Sequence, residues 1–121
     1  MSKKILIVDD EGDIREAIAD VLSQAGFVVS QAENGEHGLN TALSEHPDLI
    51  LLDVTMPIMN GQEMLTKLRE DAWGKTVKVA MLTSMDDTKN VAQAYSGNVS
   101  DYLVKSQIDI DAFVKQIKQL I

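Results

Sequence analysis

Five polar side chains stand where apolar runs of this chain stop, and their types belong together. Asp9 and Asp10 close the run Ile5-Leu6-Ile7-Val8, and Asp53 closes Leu49-Ile50-Leu51-Leu52. Thr83 ends the stretch from Val77, and Lys105 ends Asp101-Tyr102-Leu103-Val104. Three carboxylates gathered at one rim repel one another and resist ionisation unless a cation joins them. The cation that suits carboxylates, waters and phosphoryl oxygens together is Mg²⁺. Asp9 and Asp10 then hold the metal, one of them through water. Asp53 gives it one oxygen and offers the other as a nucleophile, and a carboxylate that attacks phosphorus forms an acyl phosphate. Lys105 neutralises the phosphoryl oxygens from the side away from the metal, and the Thr83 hydroxyl donates to a third oxygen.

Taken singly, each residue has a simpler role. An acid at a strand end is often the N-cap of the next helix. A strand-end lysine is usually solvated, and a threonine there serves a turn. The capping role does not suit Asp53, because the next helical pattern begins near Gln62. Five separate coincidences at five strand ends are a poorer account than one site.

The elements that must position these residues follow from the hydrophobic pattern. Lys3 to Asp10 carries a continuous aliphatic run, as expected of a strand buried on both faces. Asp13 to Gly26 has apolar positions Ile14, Ala17, Ile18, Val21, Leu22 and Ala25, a helical stripe. Asp13 and Glu16 suggest a capping box at its start, and Gly26 its stop. Phe27 to Ala32 is a second strand. Residues 35–46 form a weaker helix with Leu39, Ala42 and Leu43 inward, closed by Pro47. Leu49 to Asp53 is the third strand, and Gln62 to about Asp71 a helix buried through Met64, Leu65 and Leu68. Val77 to Thr83, a helix over 88–96, the strand Asp101 to Lys105 and a helix from Asp109 to Leu120 complete the chain. That last helix turns Ile110, Phe113, Val114, Ile117 and Leu120 inward. Strand and helix alternate five times, which implies right-handed crossovers and a parallel sheet covered on both faces. The fold expected is α/β, a flavodoxin-like doubly wound (βα)5 three-layer sandwich with sheet order 2-1-3-4-5. In such sheets ligands bind beyond the carboxyl ends of the strands, where the five polar residues lie.

Composition removes several alternatives. The chain has 121 residues, one ordinary domain (1–121), with 45% hydrophobic residues. It has no cysteine, hence no disulfide framework, thiolate metal site or cysteine nucleophile. A net charge of −8 disfavours binding nucleic-acid phosphates. No apolar run reaches membrane-spanning length, and the opening Met1-to-Gly12 segment lacks the form of a signal peptide. The expected location is the cytoplasm, without membrane attachment, and no effector domain is expected within this chain.

Four segments, "ILIVDDE", "DLILLDVTMPIMNG", "VKVAMLTS" and "DYLVK", occur in an order and spacing that resembles the receiver domain of two-component response regulators, from Lys4 to about Leu120. The resemblance implies that a histidine kinase or histidine phosphotransfer protein donates a phosphoryl group from phosphohistidine to Asp53. It implies that Asp9 and Asp10 are the acidic metal-binding pair and that the backbone carbonyl of Thr55 is a further metal ligand. Thr83 matches the family's switch hydroxyl, Lys105 its lysine and Tyr102 the aromatic that moves on activation. A phosphoryl group adds about −1.5 to −2 charges and three acceptors. Thr83 drawn inward would leave space for Tyr102, which would repack the face made by the fourth helix, the fifth strand and the last helix. That face would then control a downstream protein, as a population shift between two states.

The chain departs from the family in places. Ser106 follows Lys105 where the family usually has a cis-bonded proline, and a cis bond before another residue costs about 2.5–4 kcal/mol. In "SGNVSDY" the glycine is displaced by one, leaving Asn98, which tolerates a left-handed turn. Ser84 stands where alanine is common and stays small enough for phosphate access. Thr55 and Met85 flank the site without an acid or amide to position water, so a phosphoryl group that is not especially short-lived is expected.

Other functions fit less well. A Mg²⁺-dependent phosphatase of the haloacid-dehalogenase type, working through an aspartyl phosphate, needs an acid two residues after its nucleophile, and Thr55 is there. A flavin or nucleotide module needs a Gly- or Ser/Thr-rich phosphate loop after the first strand, where this chain has Asp9-Asp10-Glu11-Gly12-Asp13. A degenerate receiver acting as a phosphorylation-independent binding module would not need all five site residues. The expected protein is a switch, with no catalysis beyond its own phosphorylation and slow autodephosphorylation.

Overall fold

A computed structural model describes residues 2–54, 56–83, 101–104 and 109–121, without the side chains of Thr83, Asp101, Tyr102 and Val104. The expected helix over 88–96, and Thr55, Ser84, Met85, Lys105 and Ser106, lie outside the described residues. The elements are β1 (Lys4–Val8), α1 (Gly12–Gln24), β2 (Val28–Ala32), α2 (Gly35–Glu45), β3 (Leu49–Asp53), α3 (Gly61–Glu70), β4 (Lys78–Thr83), β5 (Asp101–Val104) and α4 (Ile110–Leu120). The strands form one parallel sheet in the order β2-β1-β3-β4-β5. Short parallel strands joined by helical crossovers bury the sheet on both faces, which explains the unbroken aliphatic runs.

Alternate residues of the strands serve opposite faces, because the side-chain period of a strand is two. Leu6 and Val8 of β1, Ile50 and Leu52 of β3 and Val79 and Met81 of β4 pack with Ala42 of α2 and Met64, Leu65 and Leu68 of α3. Ile5, Ile7, Leu49, Leu51, Ala80 and Leu82 pack on the other side with Ile18, Ala19 and Leu22 of α1 and Phe113 and Ile117 of α4. Each such aliphatic side chain removed from water contributes about 1.5–3 kcal/mol. The result is three layers with two cores, and all five residues of β3 are buried.

Several details differ from the expected pattern. Helix α1 starts at Gly12 with Glu11 as N-cap and no side-chain cap, so Asp13 and Glu16 form no capping box. Asp13 lies inside the first turn, where an acid favours the positive end of the helix dipole. Its buried stripe is Ile18, Ala19 and Leu22, whereas Ala17 is exposed. At the other end Gly26 takes φ 100°, and the N–H groups of Gly26 and Phe27 donate to the carbonyls of Ser23 and Leu22. That paired arrangement closes the helix as expected of a glycine stop.

Helix α2 buries Gly35, Gly38 and Ala42 and leaves Leu43 exposed. A Cβ on Gly38 would stand 2.7 Å from Val8, so this helix lies too close to β1 for large residues on its inner stripe. Leu43 falls off that narrow stripe. Ile110, the first residue of α4, is also exposed. Elsewhere the expected inward residues Met64, Leu65, Leu68, Phe113 and Ile117 are buried. Behind α3, Arg69 donates to the carbonyls of Gly74 and Val77, both at 2.8 Å. Burial lowers the pKa of its guanidinium from the ordinary value.

Candidate metal centre

The site begins as a consequence of register. Ile5 to Val8 of β1 pair with Leu49 to Leu52 of β3. One residue further, Asp9 and Asp53 stand side by side at the carboxyl ends of neighbouring central strands. Both follow the parity of Ile7 and Leu51, so both face the α1 and α4 side. Asp9 is 0% and Asp53 5% exposed, the two buried charged residues among those described. Asp10 and Glu11 are exposed beside them. One carboxylate oxygen from each of Asp9, Asp10, Glu11 and Asp53 lies within 4.8 Å of the others.

Asp9 and Asp53 are each held through the backbone. The Asp9 N–H donates to the Ala32 carbonyl at 3.0 Å, and Asp9 Oδ1 accepts from the Glu11 N–H at 2.8 Å. Arg15 Nη1 donates to the Asp9 carbonyl at 2.8 Å, and Arg15 Nε to Gln31 Oε1 at 3.0 Å. Asp53 pairs with Leu82 across β3 and β4, and the next N–H, of Val54, still donates to the Leu82 carbonyl. The Gly61 N–H then donates to the Val54 carbonyl at 3.0 Å, which folds the loop after Asp53 back over it. Helix α3 is anchored there by Asn60, whose side chain accepts from the Glu63 N–H while the Glu63 carboxylate accepts from the Asn60 N–H. That reciprocal capping fixes where the loop ends.

A set of hard carboxylate oxygens at this spacing, two buried and two open to water, matches the chemistry of a divalent cation that keeps part of its hydration. Asp9, Asp10 and Asp53 are brought together at this end of the sheet. Glu11 joins them, although its sequence position gave it no role beyond adjacency. The backbone of Thr83 pairs with Val104 at the same end of the sheet, and Tyr102 pairs with Met81. Lys105, Thr55, Ser84 and Met85 lie outside the described residues. No helix among the described residues is long and apolar enough to cross a membrane.

Comparison with known proteins gives a consistent picture. Residues 5–118 match the family model described as the response regulator receiver domain. The chain is 36% identical over 102 residues to the transcriptional regulatory protein ResD of Bacillus subtilis, covering 84% of this chain and 41% of that one. It is 37% identical over 105 residues to the phosphate regulon regulatory protein PhoB of Pseudomonas aeruginosa, covering 87% and 46%. The chain therefore spans less than half the length of these relatives. Among solved structures, the chemotaxis protein CheY4 of Vibrio cholerae superposes with a TM-score of 0.89 at 27% identity, over 100% of both chains. The response regulator TrrA of Thermotoga maritima, solved with Mg²⁺ and BeF, superposes with a TM-score of 0.83 at 32% identity, over 98% of this chain and 99% of that one.

Proposed function

This chain belongs to the response regulator receiver domain family of two-component systems, and on that premise we propose that Asp53 is its phosphoacceptor and that Asp9 and Asp10 bind the Mg²⁺ the transfer requires. The observation that carries the reading is the adjacency of buried Asp9 and Asp53 at the ends of two paired strands, with Asp10 and Glu11 beside them. Mg²⁺ supplies charge neutralisation to the phosphoryl oxygens when bound. The protein's residues do the rest. An Asp53 carboxylate oxygen forms the new P–O bond as the P–N bond to the donor histidine breaks, and the leaving imidazole nitrogen takes a proton. Burial of Asp53 at the carboxyl end of β3 limits the directions its carboxylate can take toward the phosphorus.

Lys105 pairs with the phosphoryl oxygens in this reading, the Thr83 hydroxyl follows them inward, and Tyr102 fills the space behind. The Thr55 carbonyl completes the metal's ligands, and Ser84 and Met85 border the access path. In this reading the whole is a (βα)5 sandwich, with the helix expected from the sequence over 88–96, and acts as one receiver domain over 1–121 in the cytoplasm. Its partners are a histidine kinase or phosphotransfer protein and a downstream target bound through the face formed by that helix, β5 and α4. It turns over no external substrate, catalysing only its own phosphorylation and slow dephosphorylation. Thr55, two residues past Asp53, supports this, since a phosphatase would need an acid there.

Incubation with a small phosphodonor and Mg²⁺, followed by intact mass and peptide mapping, tests the reading. One phosphoryl group on the peptide containing Asp53 is expected, and none in Asp53→Asn. A phosphoryl group that survives that substitution would sink the assignment.

A further inference from the structure

Arg15 is a cation placed next to a cation site, which by charge alone is the wrong residue for the position. Its guanidinium bridges the turn after β1 and strand β2: Nη1 donates to the main-chain carbonyl of Asp9, and Nε to the side-chain carbonyl of Gln31 on β2. The same Asp9 is tied through its N–H to Ala32 of β2 and through Oδ1 to the Glu11 N–H. The Arg15 N–H in turn donates to the Glu11 carbonyl. Arg15 thus closes a ring of hydrogen bonds around the turn between β1 and α1, the turn that carries three of the four clustered acids.

We propose that Arg15 is a positioning residue for divalent-cation binding, acting through the backbone of Asp9. This rests on the reading of the acids as the Mg²⁺ site. Without a restraint, mutual repulsion would drive the Asp9-Asp10-Glu11 turn open and spread its carboxylates. The planar fork of arginine spans both acceptors at fixed geometry, which a lysine ammonium cannot reproduce. Its benefit to the metal is preorganisation, set against a Coulomb repulsion that water and ions screen at this partly exposed position. The two effects have opposite signs in a mutant, so they can be separated.

The experiment is Mg²⁺ titration of the full chain by calorimetry, with urea unfolding of each variant in chelator. Wild type and Asp9→Asn come first. If wild type binds no Mg²⁺, or Asp9→Asn binds as well as wild type, the metal reading itself fails and this inference falls with it. With that control in place, Arg15→Gln is expected to weaken Mg²⁺ binding roughly tenfold, the scale on which groups that orient metal ligands act. Arg15→Lys, which keeps the charge, should weaken it nearly as much, and Gln31→Leu should weaken it less. The metal-free unfolding midpoints should stay near that of wild type. Unchanged or tighter binding in Arg15→Gln would overturn the proposal, as would full rescue by Arg15→Lys. A loss of affinity matched by a loss of metal-free stability would reduce Arg15 to a structural residue and overturn it equally.

Discussion

The main-chain carbonyl of Asp53 and the Cα of Gly61 are packed so closely that a Cβ on Gly61 would lie 2.3 Å from the Asp53 oxygen. The atom in the way is backbone, at the residue proposed to receive the phosphoryl group, so no side-chain rotation relieves it. Gly61→Ala must push α3 and the end of β3 apart. Overpacking of this kind costs about 1–3 kcal/mol. Urea unfolding should show that loss, and the rate of phosphorylation by a small donor should fall with it, because the shift is transmitted to Asp53 directly. A variant as stable and as readily phosphorylated as wild type would show that the loop gives elsewhere.

Ile58 stands in the same loop at φ 69°, a left-handed conformation that a β-branched residue rarely adopts. The Met59 N–H donates to the Pro57 carbonyl at 2.7 Å, so Ile58 is the centre of a three-residue turn of the uncommon, strained kind. The Met59 carbonyl accepts from the Gly35 N–H at 2.9 Å, which holds the turn in place. Ile58 is 74% exposed, so its removal gives up little burial. Ile58→Asn should therefore raise stability by about 1 kcal/mol, since asparagine tolerates the left-handed region and strain of this sort is worth about 1–3 kcal/mol. Ile58→Val keeps the branching and should leave the unfolding midpoint where it is. A destabilised Ile58→Asn would mean that the isoleucine side chain makes a favourable contact larger than the strain.

The gathering of the acids was legible because it depends on where strands stop. The aliphatic runs that end in Asp9 and Asp53 mark a central parallel sheet, and alternation along the strand settles which face the acids take. The glycine stop at Gly26 was legible for a similar reason, since it is a local demand of the backbone. What the sequence concealed depends on distances between elements. The hydrophobic rhythm of residues 35–46 pointed to Leu43, but the close approach of α2 to Val8 makes Gly35, Gly38 and Ala42 its buried stripe. The start of α1 is ambiguous in the sequence because Asp9, Asp10 and Asp13 are all capable caps, whereas the N-cap observed is Glu11, without a side-chain bond. Arg15 gave no signal at all. Its partners are a main-chain carbonyl and a glutamine sixteen residues away, and no spacing rule connects them.

In the proposed reading Met85, two residues after Thr83, borders the access path to the phosphoryl group, and its side chain offers water no carboxylate or amide. A glutamate there could orient water for in-line attack on phosphorus. Met85→Glu should shorten the lifetime of the phosphorylated protein several-fold, measured by loss of the phosphoryl group after removal of the donor. A lifetime equal to or longer than that of wild type would show that this position does not govern hydrolysis.

On the proposed reading Mg²⁺ should act on stability as well as on chemistry, because the clustered carboxylates proposed to bind it exist as a set only in the folded chain. A ligand that binds the native state alone stabilises it by RT ln(1 + [L]/Kd), about 1.4 kcal/mol at ten times Kd. Adding Mg²⁺ to wild type at that excess should raise the free energy of unfolding by this amount relative to chelator. The gain should disappear in Asp9→Asn, which removes one of the two buried charges of the cluster. The same substitution also relieves repulsion among the four acids, so in chelator the variant should unfold at a urea concentration no lower than wild type. Those two shifts have opposite signs in one residue, which separates a metal ligand from a residue needed for the fold. A variant that is destabilised in chelator and still gains stability from Mg²⁺ would place the metal elsewhere.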